Sequence, residues 1–159
     1  MKDWNGTANS IFKQLGASNH CEDEREENDY YATDPKAIDD LLKYEKFDKN
    51  IWENASGGGH LVKRLRERGF SVWSTDIVDR GCQDDIIDFL ALNDGKTFKG
   101  DIITNPPYKY CTEWILKSLE KVDTGHKVAL FLKLTTLEGQ DRYNKVFSKY
   151  PPKYIYIYI

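Results

Sequence analysis

The chain has no apolar run long enough to cross a membrane, and its opening residues, Met1-Lys2-Asp3-Trp4-Asn5-Gly6, lack the apolar stretch of a secretory signal. A cytoplasmic protein is expected. Cysteine is scarce: Cys21, Cys82 and Cys111 are odd in number, scattered and without a CxxC pair. That argues against a disulfide framework and against a zinc site. His20, His60 and His126 are equally dispersed, so no metal is expected. An excess of positive charge is missing too. Lys and Arg number 23 against 26 Asp and Glu, a formal net charge of -3. Overall charge therefore gives no support to a nucleic-acid partner, and any such contact needs a local basic face. There is no GK[ST] loop for a nucleoside triphosphate and no internal repeat.

What is present is a single domain's worth of alternating strands and helices. Residues 1–29 are polar, and the run Glu22-Asp23-Glu24-Arg25-Glu26-Glu27-Asn28-Asp29 reads as a solvated, mobile arm. A helix is expected from Asp34-Pro35, an N-cap followed by a first-turn proline, with Ala37, Ile38, Leu41 and Leu42 forming its apolar face. Strands are expected at 51–54, 71–75, 86–87, 102–104, 128–132 and 154–158. Helices are expected around Leu61–Leu65, Trp114–Val122 and Tyr143–Phe147. This order predicts an α/β fold with a doubly wound, mostly parallel, Rossmann-like sheet and helices on both faces, spanning residues 30–159.

The most informative residues are Asn105-Pro106-Pro107-Tyr108, which follow the apolar strand Ile102-Ile103-Thr104. Two prolines end a ladder, because neither donates a backbone N–H. They leave an amide, an oriented carbonyl and an aromatic face at the carboxyl tip of a strand, where ligands bind in open α/β sheets. Asn105 and the Pro106 carbonyl suit an amine on a planar ring, and Tyr108 suits the ring itself.

A second constellation begins at the end of the first strand, in Glu53-Asn54-Ala55-Ser56-Gly57-Gly58-Gly59-His60. Its glycines permit a tight turn and close approach of a ligand to backbone. Asp76 ends the second strand, where a carboxylate can accept both hydroxyls of a ribose. Glu53 would repel a pyrophosphate but attract a cation. That points from a dinucleotide toward S-adenosylmethionine, which carries an ammonium and a sulfonium. Asp88 and Phe89 suit its adenine, the acid by the exocyclic amine and the ring by contact. Asp76, Asp88 and Phe89 also have plain structural readings, as turn residues and core.

Taken together, these segments resemble the adenine-specific N6 DNA methyltransferases, in particular the small phage-encoded ones. The resemblance runs through Tyr30-Tyr31-Ala32-Thr33-Asp34-Pro35, the glycine turn, Asp76, Asp88-Phe89, Asn105-Pro106-Pro107-Tyr108, and Leu137-Glu138-Gly139 with Arg142. It implies that Tyr31 and Thr33 lie against the methionine end of S-adenosylmethionine, with Glu53, Ala55, Gly57 and Gly59 lining the cofactor. Asp76 would hold the ribose, and Asp88 and Phe89 the adenine. Asn105, Pro106, Pro107 and Tyr108 would form the catalytic segment that receives an adenine flipped out of DNA, whose nitrogen attacks the methyl group in line.

The chain departs from that pattern at Asn54, where proline is usual, a change that loosens the turn. It also ends on Tyr154-Ile155-Tyr156-Ile157-Tyr158, a strand that would be a bare edge. Pairing with the fifth strand or with a second copy of the chain, or a fragmentary chain, is expected. No separate target-recognition domain is visible. Two other readings share these residues: methylation of an RNA base or a protein glutamine amide, and a non-catalytic binding module that keeps the fold.

Overall fold

A computed structural model describes residues 33–158; the polar arm 1–29 and Tyr31 lie outside the described residues. The order is α1 (Lys36–Tyr44), β1 (Asn50–Glu53), α2 (His60–Glu67), β2 (Ser71–Asp76), β3 (Asp85–Ile86), β4 (Asp101–Thr104), α3 (Cys111–Lys121), β5 (Val128–Leu130) and α4 (Gln140–Arg142). A 3-10 turn, Tyr108–Tyr110, leads into α3, another covers Leu134–Leu137, and α4 runs on as a π-helical turn over Tyr143–Phe147. The five strands form one sheet in the order β3-β2-β1-β4-β5, and every pairing is parallel. The fold is thus the expected α/β, Rossmann-like one.

Strand alternation sorts the core into two layers. Ile51, Val72 and Ile103 point to one face, where they pack with Ile38 and Leu41 of α1 and Leu61, Val62 and Leu65 of α2. Their neighbours Trp52 and Ile102 point to the other face and meet Phe89 and Trp114 of α3. Trp52 stacks on Trp73 at 4.5 Å and meets Phe89 edge-on at 5.3 Å, each such pair worth about 0.5–1.5 kcal/mol beyond area burial. Helices therefore cover both faces. The first of them starts one residue later than expected, with Pro35 at its N-cap, while the Asp34 carboxylate accepts the Lys36 N–H at 2.9 Å from just outside the helix.

The strand order locates the crevice. From β1 the chain moves outward through β2 and β3, then crosses back to β4 and moves outward on the other side through β5. The carboxyl tips of β1 and β4 lie at this reversal, the place where an open parallel sheet leaves a gap for ligand.

Two expected strands differ from observation. The fifth stops at Leu130 and is half-buried rather than fully buried, because it is the outer strand of the sheet. The sixth does not form: residues 154–158 join no ladder. Side chains settle this segment instead. The Tyr156 hydroxyl donates to Glu45 Oε1 at 2.7 Å, the Tyr158 hydroxyl donates to the Ala37 carbonyl at 3.0 Å, and Tyr44 stacks on Tyr156 at 5.8 Å. The Tyr-Ile alternation imitates a strand, but the phenols tie it to α1 and the loop after it.

Candidate active site

The glycine turn is built by backbone first. Gly57 and Gly59 adopt φ of 50° and 75°, in the region that suits glycine. A Cβ on Gly59 would also meet Cys82 Sγ at 3.3 Å. Ser56 N–H donates to the Thr75 carbonyl, tying the turn to β2, and the Gly57 N–H donates to Asp76 Oδ2 at 2.8 Å. The other oxygen of Asp76 accepts the Val78 N–H at 2.9 Å. Asp76 therefore holds the turn in place, and its carboxylate, with about four acceptor positions, keeps two for further donors. From the other side Gln83 Nε2 donates to the Gly57 carbonyl at 2.8 Å.

Glu53 occupies the tip of β1 and is fully buried. Thr104, at the tip of the adjacent β4, donates its hydroxyl to Glu53 Oε1, while Oε2 is buried without a hydrogen-bond partner. Burial pushes the carboxyl up to about 8, against a smaller downward pull from Thr104 and the Ala55 N–H; the nearby Asp76 charge adds to the rise. Ser56 Oγ and Asn54 Nδ2 are likewise buried without partners. Three orphaned polar atoms within four consecutive residues is a concentration that ordinary packing avoids. A donor such as an ammonium would satisfy Glu53 Oε2 and Ser56 Oγ, whereas Asn54 Nδ2 needs an acceptor.

Asn54 departs from the resemblance without loosening the turn. Its Oδ1 accepts the Trp114 Nε1–H at 2.9 Å, and the residue is 1% exposed. Anchorage to α3 takes the place of the rigidity a proline would give.

Asn105 lies one residue past Thr104 and is half-buried. Its Nδ2 donates to Thr33 Oγ1 at 2.6 Å. Two side-chain hydrogen bonds therefore stand at the tips of β1 and β4, Thr104 to Glu53 and Asn105 to Thr33, carried by consecutive residues of one strand end. Pro106 is buried, Pro107 half-buried, and its carbonyl accepts the Tyr110 N–H at 3.0 Å, closing the turn that carries Tyr108. The Tyr108 ring is half-buried, with the Lys133 ammonium 4.7 Å from its centroid.

The structure thus brings together Thr33, Glu53, Ala55, Gly57, Gly59, Asp76 and Asn105. It separates the pair expected at the adenine. Phe89 is 1% exposed and packed between Trp52 and Trp114, whereas Asp88 is exposed, with Oδ1 accepting the Ala91 N–H at 3.2 Å. Residues that sequence reasoning missed are Thr104, Ser56, Gln83 and Lys133. Thr104 had a signal as a polar residue closing an apolar strand, and Ser56 had one by its place in the glycine turn. Among the described residues no helix is long and apolar enough to cross a membrane, and no group of three or more His, Cys, Asp or Glu is arranged to hold a metal ion. Comparison of the chain with protein-family models, with curated proteins and with solved structures finds no match.

Proposed function

We propose that the protein is a cytoplasmic methyltransferase that moves a methyl group from S-adenosylmethionine to the exocyclic N6 amine of adenine in DNA. The observation that carries this reading is a polar site at the topological reversal of the sheet, built on the hydrogen bonds Thr104 to Glu53 and Asn105 to Thr33. One end of it is a buried carboxyl with an unpartnered oxygen beside a glycine turn; the other is a side-chain amide followed by Pro-Pro-Tyr.

S-adenosylmethionine supplies, when bound, a methyl group on a cationic sulfur. Glu53 and Thr33 suit its amino-acid end, Asp76 the ribose, and Asp88 the adenine amine. Burial disfavours the charge of Glu53, and a cation beside it reverses that preference. At the acceptor, Asn105 Oδ1 and the Pro106 carbonyl accept hydrogen bonds from an aromatic amine. These bonds orient the nitrogen lone pair and stabilise the positive charge that grows on nitrogen. Tyr108 offers a face for the ring of an extruded base. Exposed Lys133 lies over that ring at 4.7 Å and exposed Lys109 over the neighbouring Tyr110 ring at 5.3 Å, so a net-acidic chain has a local cationic patch there.

Calorimetry with S-adenosylmethionine, followed by methyl transfer assayed on duplex DNA beside RNA and protein acceptors, tests the reading. Saturable cofactor binding and transfer to DNA adenine alone is the expected result. Transfer only to RNA or to protein would change the acceptor, and absence of cofactor binding would overturn the proposal.

A further inference from the structure

Lys133 follows β5 on extended backbone, φ −67° and ψ 144°, just before the 3-10 turn Leu134–Leu137. Its ammonium covers the Tyr108 ring at 4.7 Å. The aromatic face that suits an extruded base therefore carries a cation.

The loop that carries Lys133 is clamped. Arg142 Nη1 donates to the carbonyls of Thr135, Thr136 and Glu138 at 3.2, 2.8 and 3.1 Å, and its Nε donates to Thr112 Oγ1 at 3.3 Å. Thr112 lies in the first turn of α3, immediately after the Tyr108–Tyr110 turn. One guanidinium thus holds the loop after β5 against the segment that presents Tyr108. The Lys133 backbone has a defined position, while its long, exposed side chain can change direction.

We propose that Lys133 is a positioning residue for the nucleic-acid acceptor. An arriving base takes over the Tyr108 face by stacking on the ring. The displaced ammonium then takes the backbone phosphate beside the extruded nucleotide. Lysine suits this exchange because its charge is compact and its stem flexible. The inference rests on the methyl-transfer reading above and adds a role for a residue outside the Asn-Pro-Pro-Tyr segment.

The test compares wild type, Lys133→Met and Lys133→Arg on an adenine-containing duplex oligonucleotide across a salt series, with cofactor affinity measured separately. Lys133→Met is expected to raise KM for DNA about five- to tenfold and to flatten the log KM against log salt slope by about one. The kcat and the cofactor Kd stay within about twofold of wild type, and Lys133→Arg restores the salt slope. Lys133 is exposed, so the variants are expected to fold; Lys133→Gln replaces Lys133→Met if the apolar side chain causes aggregation. A neutral variant with the wild-type salt slope overturns this inference and leaves methyl transfer standing. A wild-type protein that methylates no DNA overturns both.

Discussion

Replacing Glu53 by glutamine tests whether the buried carboxyl is a receptor for a cation. The group is fully buried, and burial raises its pKa from 4.5 to about 8. At about 1.4 kcal/mol per tenfold, ionising it in place costs on the order of 5 kcal/mol relative to the unfolded chain. The sign follows from proton counting. Between 4.5 and about 8 the folded protein holds a proton that the unfolded chain has released. The neutral carboxyl's contribution to stability is therefore full below 4.5 and is lost as pH rises to about 8. Binding of a cation works in the opposite sense, because it favours the ionised form. At pH 7 the protonated form is favoured, so binding S-adenosylmethionine should release most of a proton. Affinity should strengthen about tenfold from pH 6 to pH 7 and level off near 8, where the ligand's own amino group, with a pKa of roughly 7.7–8.0, begins to lose its charge. Glu53→Gln keeps the shape and removes the titration. Its cofactor affinity should be weaker and flat across pH 6–7, and its stability should no longer fall over that range. Calorimetry in two buffers of different ionisation enthalpy counts the released proton. Saturable wild-type binding with no proton release and no pH dependence would refute the reasoning.

Three further outcomes follow from the same geometry. Thr104→Val removes the hydroxyl that holds Glu53 down; the pH midpoint for cofactor affinity should move upward, read from the same calorimetric series. Asn105→Ala should leave cofactor affinity within about twofold and lower kcat by about a hundredfold or more, the scale seen when one donor or acceptor of a preorganised polar site is removed. Gly100→Ala should destabilise the fold by roughly 1–3 kcal/mol in urea unfolding, because its Cβ would lie 2.4 Å from the Asn50 carbonyl oxygen, which is backbone and cannot step aside.

The sheet was legible in the sequence because short segments with apolar pairs, Ile51-Trp52, Val72-Trp73 and Ile102-Ile103, recur between turn residues, the last before Asn105-Pro106. The glycine turn was legible because strand and helix flank it. What could not be read was contact across strands distant in sequence. Thr104 and Glu53 are 51 residues apart, and only the placement of β4 beside β1 lets one orient the other. The pinning of Asn54 by Trp114 belongs to the same class. Phe89 read equally well as a ligand contact or as core, and burial against Trp52 and Trp114 put it in the core. The last segment misled for a different reason: alternating Tyr and Ile satisfies the strand pattern, yet a phenol hydroxyl can find its partner without a ladder, as Tyr156 does on Glu45.

The central claim is that a methyl donor and an aromatic amine meet at the tips of β1 and β4. Digestion and mass spectrometry of DNA incubated with the protein and S-adenosylmethionine tests it most directly. The expected result is N6-methyladenine in the wild-type reaction and its loss with Asn105→Ala, while that variant still binds the cofactor. Unmodified adenine in DNA exposed to cofactor-saturated wild type would contradict it.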